Sequence, residues 1–346
     1  MELFTILEDY LKEQPDSTDL QQASATTILG ISAAAKQIAA LVARGPLAGN
    51  LGAAHGDNVD GDTQKELDLR ANELIINELR QAPVATLVSE ELDEPLILDE
   101  AAPIYVAIDP LDGSSNIETN AAVGTIFSIM PAQRDAAKGN PCLQPGTAQI
   151  AAGYVIYGPQ TALILTLGQG THIFTLDPDS QQFRLTQEAV QIPETTREFA
   201  INVSNFRHWD RHVRAYIDDC LEGEAGFRKS NYNMRWVASL VAECQRILSR
   251  GGVFLYPGDA RKGYAHGRLR LLYEVNPISF LIEQAGGAAT DGQQRLLEIQ
   301  PQQLHQRVPM IFGSRREIAR VERYYGEPET PGERSQLFNK RGLFRA

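Results

Sequence analysis

The amino-acid sequence predicts an α/β protein with two domains. Apolar residues recur at helical spacing in two early stretches, and short β-branched runs at 104–108 and 123–130 predict buried strands. The chain has 346 residues, 43% of them hydrophobic, which is enough for two domains that each bury a core. We place the domain boundary in the polar segment 177–198, so that the domains cover 1–196 and 197–335, with a tail over 336–346.

Charge and cysteine usage exclude several classes of protein. A net charge of −12 argues against a nucleic-acid partner and an anionic membrane surface. We find no apolar run near the roughly 20 residues of a membrane span, and the N-terminus lacks the features of a signal or transit peptide. Three distant cysteines, Cys142, Cys220 and Cys244, fit a reducing cytoplasm without disulfides or a zinc site.

Two helices are predicted in the first 80 residues. Residues 1–22 read as a loosely attached arm, and a core-facing helix with Ile28, Ile31 and Ile38 inward runs from Thr27 to residue 44. Residues 45–62 are rich in Gly, Ala, Asn and Asp and predict a mobile loop. A capping-box spacing at 63–66 then opens a second helix. Taken alone, Asp62 would cap this helix and Asp68 would lie on its solvated face.

Acidic residues follow two of the predicted strands. Strand 85–88 ends at Ser89-Glu90-Glu91, and strand 104–108 ends at Asp109. We expect no strand beyond Asp109, because Pro110 removes a ladder donor and the following residues are turn formers. Ligands in open α/β sheets collect at the carboxyl ends of strands, so both acidic segments predict one site. The simpler alternative is a plain turn in one case and an acidic surface loop in the other.

The segment from Asp109 to Ser115 combines a cation site with a phosphate cradle. The carboxylates of Asp109 and Asp112 and the carbonyl of Leu111 are hard oxygen ligands that suit Mg²⁺ or Mn²⁺. Gly113, Ser114 and Ser115 are small, so their backbone N–H groups can approach an oxyanion closely.

The later elements are predicted in less detail. Strands at 148–157, 161–167 and 171–176 form a meander, and a strand is expected at 199–203. A helix is expected over 233–250 with Met234 and Val237 inward, followed by a strand at 253–256 and a helix from Asn276 to Gln284.

Several of these motifs together resemble class I fructose-1,6-bisphosphatases over roughly residues 25 to 330. The similar segments are Ser89-Glu90-Glu91, Asp109-Pro110-Leu111-Asp112-Gly113-Ser114-Ser115-Asn116, Gly124-Thr125-Ile126-Phe127, Phe254-Leu255-Tyr256-Pro257, Leu271-Leu272-Tyr273-Glu274, Asn276-Pro277 and Ala285-Gly286-Gly287. The resemblance implies a sugar phosphatase fold, a five-layered α-β-α-β-α sandwich of two domains.

The resemblance also implies an activity, a metal and an assembly. The activity is Mg²⁺-dependent hydrolysis of the 1-phosphate of fructose 1,6-bisphosphate to fructose 6-phosphate, in gluconeogenesis or the Calvin cycle. Two or three Mg²⁺ ions per subunit are implied, for which Mn²⁺ can substitute, in a cytoplasmic homotetramer. No nucleic-acid or membrane partner is implied.

Site residues follow from the matching positions. The implied metal ligands are Glu90, Asp109, Leu111, Asp112 and Glu274. The implied catalytic residues are Glu91, Asp68 and Asp62, the last on a mobile loop that also carries Asn58. The implied substrate-binding residues are Asp112, Gly113, Ser114, Ser115, Asn202, Arg235, Tyr256, Arg268 and Arg270. Arg235 would serve the 6-phosphate site of a neighbouring subunit, and the alternative for it is an exposed salt bridge.

Some positions depart from the family pattern. Arg268 replaces a usual lysine, and Trp236 and Asn205 replace usual tyrosines, so a sedoheptulose-1,7-bisphosphatase, a dual-specificity enzyme or an inositol-phosphate phosphatase are alternatives. A non-catalytic sugar-phosphate sensor would have lost carboxylates, and the set is complete. The segments 21–23 and 103–104 lack the cation and phenol that bind AMP in inhibited members of the family, so we predict weak or absent AMP inhibition. Cys142 stands without a partner cysteine, which predicts no thioredoxin control.

Overall fold

The computed structural model describes residues 4–14, 18–57, 63–133 and 140–326. The helices in these ranges are α1 (Leu7–Lys12), α2 (Asp19–Arg44), α3 (Glu66–Leu79), α4 (Arg211–Leu221), α5 (Leu240–Arg250), α6 (Asn276–Gln284) and α7 (Arg315–Gly326). A short π-helix, Leu271–Val275, leads directly into α6, and short 3₁₀ helices include Ser114–Thr119.

The strands are numbered in chain order. They are β1 (Ala54–Asp57), β2 (Thr63–Lys65), β3 (Val84–Ser89), β4 (Leu96–Ile97), β5 (Ile104–Asp112), β6 (Val123–Pro131), β7 (Ala151–Tyr157), β8 (Thr161–Thr166), β9 (His172–Leu176), β10 (Phe183–Gln187), β11 (Glu198–Ala200), β12 (Asn233–Met234), β13 (Val253–Tyr256), β14 (Leu269–Arg270), β15 (Ala288–Thr290), β16 (Arg307–Val308) and β17 (Met310–Gly313).

Two sheets account for most of these strands. The first has the order β10-β9-β8-β7-β6-β5-β3-β4, and the second has the order β12-β11-β13-β17-β15. In the first sheet β3 and β5 are parallel, while β5 through β10 form an antiparallel meander. The meander predicted for strands 148–176 is confirmed, and the parallel pair places the ends of β3 and β5 at one edge.

Five layers result from the way the apolar faces pack. One core joins α2 and α3 to one face of the first sheet through residues such as Ile31, Ile75 and Val106. A second core lies between the two sheets and contains α5 and α6, and a third joins α4 and α7 to the outer face of the second sheet. The predicted five-layered α-β-α-β-α sandwich is therefore confirmed. The domain boundary at 196 stays a prediction, because the middle core draws on both halves of the chain.

The long helix α2 corrects two predictions. It begins at Asp19 rather than Thr27, because the Thr18 hydroxyl accepts the backbone N–H of Gln21 and caps it there. By length and composition alone, the segment Asp19–Ala48 could also cross a membrane, so the statement that no such run exists was wrong. Its face with Ile28, Ile31 and Ile38 is buried in the first core, which is the pattern of a core helix.

Two other sequence-based expectations were wrong, and one strand was not predicted. The N-terminal arm is docked rather than loose, because Leu7 and Leu11 of α1 are buried and Ile6 forms a bridge to Arg184. The polar segment 177–198 contains a strand, β10, that extends the meander. The helix expected over 233–250 begins only at Leu240, where the Ser239 hydroxyl caps it. Met234 and Val237 precede it and are exposed.

Candidate active site

Two parallel strands deliver acidic residues to the same edge of the first sheet. Ser89 at the end of β3 pairs with Ile108 of β5, and the backbone N–H of Glu90 donates to the Ile108 carbonyl at 3.0 Å. Asp109 is therefore the next residue of β5 beside Glu90. This is the arrangement that the sequence predicts for a site at the carboxyl ends of neighbouring strands.

The strand β5 continues through Pro110, which contradicts the prediction that it ends at Asp109. Asp109 pairs with Ile126 of β6 and Asp112 pairs with Gly124, with an irregular register between the two pairs. Proline is tolerated in a sheet at such a bulge, because no ladder hydrogen bond is required of its nitrogen there. The bulge spans the two carboxylates of the motif.

A third carboxylate comes from more than 150 residues further along the chain. Glu274 lies in the π-helix, and one carboxylate oxygen each from Asp109, Asp112 and Glu274 lies within 4.8 Å of the others. All three residues are buried. Buried carboxylates this close repel one another unless they are protonated or share a cation.

The electrostatics of the three residues reflect this repulsion. Burial, followed by the nearby charge of Glu90, raises the pKa of Asp109 and of Glu274 well above the usual range. Burial raises the pKa of Asp112 to about 6, although the backbone N–H of Val241 donates to its carboxylate at 2.9 Å and lowers it. A divalent cation is the group that such an all-oxygen donor set fits.

Asp68 is buried beside this cluster, not solvated as the simpler interpretation held. Its Oδ2 accepts the backbone N–H of Lys65 at 2.7 Å and so caps α3, whose first residue, Glu66, lies two residues beyond the predicted one. Its Oδ1 has no hydrogen-bond partner among the described residues. Burial, together with the charges of Glu91 and Glu90, raises the pKa of Asp68 to about 7.

Glu90 has a cationic neighbour that the sequence did not indicate. The guanidinium of Arg270 donates to the Glu90 carboxylate, and the backbone N–H of Arg270 donates to Glu274 at 2.6 Å. Arg270 is buried and lies among the carboxylates, although its predicted role was to bind the sugar and its 6-phosphate. The contact of Arg270 with Glu274 could have been suspected from their four-residue spacing, but the contact with Glu90 could not.

The segment after Asp112 turns sharply toward α5. Gly113 has a φ of 77°, in the left-handed region that glycine adopts readily, and Ser114 begins the 3₁₀ helix that follows. The Asn116 amide donates to the Ala238 carbonyl at 2.8 Å, just before α5. The backbone of Gly113, Ser114 and Ser115 therefore lies between the acidic cluster and the start of α5.

A second group of predicted residues lines one small cavity. Asn202, Tyr256 and Arg268 are brought together there, with Asn205 as a further wall residue. The indole of Trp236 lies 6.0 Å from the ring of Tyr256, measured between centroids. Tyr256 also connects the two groups, because its pKa responds to Arg268 on one side and to Glu274 on the other, although burial is the main cause of its rise.

Arg235 lies at the surface in this single chain. Its Nε is 3.6 Å from a carboxylate oxygen of Glu198, and half of its side chain is exposed. Glu198 also accepts from Arg246 and Arg250, at 3.0 and 2.9 Å. The contact with Arg235 is thus the longest of the three.

Two predicted residues cannot be placed in the site, and two residues near the site were not predicted. Asp62 and Asn58 lie outside the described residues. Arg261 and Tyr264 were not predicted, yet Arg261 lines the same cavity as Arg268 and Tyr264 is in contact with both arginines. The only signal for them is the mixture of arginine and aromatic residues in the glycine-rich segment after Pro257.

Comparison with known protein families identifies relatives over almost the whole described chain. Residues 4–188 match the model of the fructose-1-6-bisphosphatase N-terminal domain, and residues 192–326 match that of the C-terminal domain. A relative from Sinorhizobium medicae, named fructose-1,6-bisphosphatase class 1, is 52% identical over 344 residues, covering 98% of this chain and 99% of the relative. One from Nitrobacter hamburgensis with a similar name is 55% identical over 340 residues, covering 98% of each.

Solved structures show the same similarity in three dimensions. The fructose-1,6-bisphosphatase of Leishmania major in its holo form superimposes with a TM-score of 0.86 at 33% sequence identity. The match covers 94% of this chain and 100% of the Leishmania chain.

Proposed function

Because the chain belongs to the class 1 fructose-1,6-bisphosphatase family, we propose that it hydrolyses the 1-phosphate of fructose 1,6-bisphosphate with Mg²⁺. The family membership makes it a metal-dependent phosphatase. The observation that carries the proposal is the convergence of Asp109, Asp112 and Glu274 to within 4.8 Å. Stability alone does not explain three buried carboxylates at this separation, since like charges so close repel one another.

The metal ligands of the proposal are Glu90, Asp109, Asp112, Glu274 and the carbonyl of Leu111. Two or three Mg²⁺ ions bound there would neutralise charge on the phosphate ester and lower the pKa of a bound water. Arg270 donates to Glu90 and already supplies one positive charge to the cluster. Beside this cluster, the backbone N–H groups of Gly113, Ser114 and Ser115 would donate hydrogen bonds to the phosphate oxygens.

Asp68 and Glu91 are the residues that we propose to accept the proton of the attacking water. A raised pKa of about 7 makes the Asp68 carboxylate a better base near neutral pH than an ordinary aspartate. Its Oδ1 is free of hydrogen bonds within the described part of the chain, so it can interact with Glu91 or a water. Asp62 is proposed as a third catalytic residue by its match to the family pattern.

The sugar and its 6-phosphate would occupy the cavity of Asn202, Tyr256 and Arg268. Arg268 is exposed beside this cavity, and a guanidinium suits bidentate recognition of a phosphate. Asn205, in place of a bulkier ring, lines the same cavity and favours a second candidate substrate with one more carbon, sedoheptulose 1,7-bisphosphate. Arg270 would act on the other side of the substrate, at the acidic cluster.

A homotetramer in which Arg235 serves a neighbouring subunit is also part of the proposal. Arg235 is half exposed, its contact with Glu198 is 3.6 Å long, and that carboxylate retains two closer arginine partners. Met234 and Val237 beside it expose 47% and 43% of their surface, as expected of residues that a second copy covers.

Three buried, unpaired cysteines support the cytoplasm as the location.

Phosphate release measured with and without Mg²⁺ tests the proposal. We expect turnover of fructose 1,6-bisphosphate that chelator abolishes, and loss of that turnover in Glu274→Gln. The matched control is Glu73→Gln on the exposed face of α3, which should be fully active. Unchanged turnover in excess chelator would contradict the proposal, and a panel that includes sedoheptulose 1,7-bisphosphate ranks the two substrates.

A further inference from the structure

The loop of residues 257–267 forms one side of the cavity that holds Arg268. Within it, two guanidinium groups lie over the ring of Tyr264. The Cζ of Arg261 is 4.5 Å from the ring centroid, and the Cζ of Arg268 is 4.9 Å from it. A cation over an aromatic face is attracted by the ring quadrupole, so the ring restrains both side chains.

The loop is folded tightly enough to fix the position of Tyr264. The backbone carbonyl of Tyr264 accepts the N–H groups of Asp259 and Gly267, at 3.0 and 3.1 Å, and its own N–H donates to Arg261 at 3.0 Å. The Ala260 N–H donates to the His208 carbonyl at 3.0 Å, which ties the loop to the segment before α4. These bonds fix the backbone of Tyr264 and so hold its ring beside Arg261 and Arg268, two residues that line the cavity.

Close backbone contacts add to this rigidity. A Cβ on Gly258 would lie 2.4 Å from the Ala265 carbonyl oxygen, and a Cβ on Gly267 would lie 2.3 Å from the Val308 backbone. Gly267 also has a φ of 80°. Both glycines are therefore required for the loop to close on itself and to pack against Val308.

The two arginines beside Tyr264 differ in what they can still bind. Arg261 is paired with the carboxylate of Asp259, whose side chain is only 5% exposed, so its charge is already neutralised. Within ranges 4–14, 18–57, 63–133 and 140–326, no ion pair engages Arg268, and its side chain is exposed beside the cavity. Arg268 is thus the cation that an incoming phosphate would meet.

We propose that Tyr264 is a positioning residue for the phosphate that remains on the product. It holds the guanidinium of Arg268 toward the cavity, and the Asp259–Arg261 pair restrains the ring through the contact of Arg261 with it. This inference rests on the proposed function, because it deepens the description of that substrate site. In this proposal the 257–267 loop helps to bind the 6-phosphate, whereas the acidic cluster is the place where the 1-phosphate is hydrolysed.

The experiment compares Tyr264→Ala with Tyr264→Phe. In Tyr264→Ala, the KM for fructose 1,6-bisphosphate should rise about two- to fivefold, the range expected for loss of an exposed cation–π contact, while kcat stays unchanged. Tyr264→Phe keeps the ring and should behave as wild type. His266→Ala, an exposed neighbour in the loop, is the matched control.

Three further measurements separate positioning from a general effect on folding. The dissociation constant of fructose 6-phosphate, measured by calorimetry, should rise by the same factor in Tyr264→Ala. In an Arg268→Ala background, Tyr264→Ala should have no additional effect, because the residue acts through Arg268. Kinetics on fructose 1-phosphate, which lacks the distant phosphate, should not change.

The outcomes distinguish this inference from the proposed function. A wild-type protein that hydrolyses fructose 1,6-bisphosphate, with Tyr264→Ala binding fructose 6-phosphate as tightly as wild type, would overturn the inference alone. Additive effects of Tyr264→Ala and Arg268→Ala would also overturn it. A wild-type protein without turnover would instead overturn the proposed function.

Discussion

At the scale of single residues, Asp68 combines a structural and a chemical property. One carboxylate oxygen caps α3 through the Lys65 N–H at 2.7 Å, while the other has no hydrogen-bond partner within the described residues. An asparagine would keep the acceptor for the cap but could not take up a proton. The substitution therefore separates the two properties.

We predict that Asp68→Asn lowers kcat for phosphate release by about 10²- to 10⁴-fold, the usual loss on removing a general base. The melting temperature should not fall, since the cap is retained and a buried charge is removed. The measurement is steady-state kinetics with Mg²⁺, together with thermal unfolding, and Glu73→Gln on the same helix is the control. An active Asp68→Asn protein would show that another group accepts the proton.

Much of the candidate site could be predicted from residue type and position along the chain. Asp109 and Asp112 follow an apolar run, and this pattern alone indicates carboxylates at the end of a buried strand. The contact of Arg270 with Glu90 could not be predicted in this way, because 180 residues separate the partners and only the tertiary fold joins them. Tyr264 was missed for the same reason, since its ring stacking depends on the path of a loop.

At the scale of elements, local signals compete with the sheet. Pro110 and Gly113 are typical of turns, but β6 provides a partner strand that draws Asp109 and Asp112 into β5. The segment 233–239 has apolar residues at helical spacing, yet two of its residues form β12 against β11 instead. In both cases sheet pairing overrode a correct local propensity, whereas α6, with Ile278, Leu281 and Ile282 buried, has the bounds that the sequence predicts.

The packing of β6 against β7 and α5 depends on Gly124, and this leads to a prediction at the element scale. A Cβ at Gly124 would lie 2.4 Å from the Val155 carbonyl oxygen in the neighbouring strand. We expect Gly124→Ala to destabilise the protein by about 1–3 kcal/mol, as overpacking of a core does, and to lower activity because Asp112 is its partner.

The control for Gly124→Ala is an alanine at another glycine. In α2, a Cβ at Gly30 would meet its nearest atom at 3.7 Å, an ordinary contact. Gly30→Ala should stabilise the protein by about 0.5–1 kcal/mol, because alanine has the higher helix propensity. Denaturant unfolding measures both variants, and equal stability of the two would contradict the argument.

A cavity of about 730 Å³ between α1 and α2 bears on the prediction of weak AMP inhibition. Gln21 and Gln22 line it, and of the lining residues that the structure describes only Lys12 is cationic, with Asp9 3.7 Å away. A nucleotide phosphate would therefore meet amides and a carboxylate rather than a cluster of cations. An activity titration with AMP should show little inhibition, and strong inhibition at low micromolar AMP would contradict the prediction.

At the scale of the whole molecule, the net charge is negative although a positive charge lies at the proposed substrate site. The chain carries a net charge of −12, yet the exposed cation of Arg268 lies beside the small cavity that Asn202 and Tyr256 line. The acidic excess includes the cluster at the ends of β3 and β5, which a divalent cation can offset. An anionic substrate is thus bound by local cations and metal ions on a molecule that would otherwise repel it.

This arrangement predicts how stability depends on pH in the absence of metal. The pKa of Asp68 is raised from 3.8 to about 7, and that of Asp112 from 3.8 to about 6. Between about pH 4 and pH 7 the folded state therefore binds more protons than the unfolded state, and the free energy of unfolding falls as pH rises. Below about pH 4 both states are protonated and this contribution no longer changes with pH.

In excess chelator we therefore expect the melting temperature to fall as the pH is raised from about 4 to about 7, by more than in Glu274→Gln. The variant removes one repelling charge, so in chelator it should also be more stable than wild type near neutral pH. Saturating Mg²⁺ should reduce the wild-type decline, because the cations take the place of the protons, and should stabilise Glu274→Gln less. A wild-type melting temperature that rises with pH in chelator, relative to the variant, would show that the carboxylates do not repel one another as their positions require.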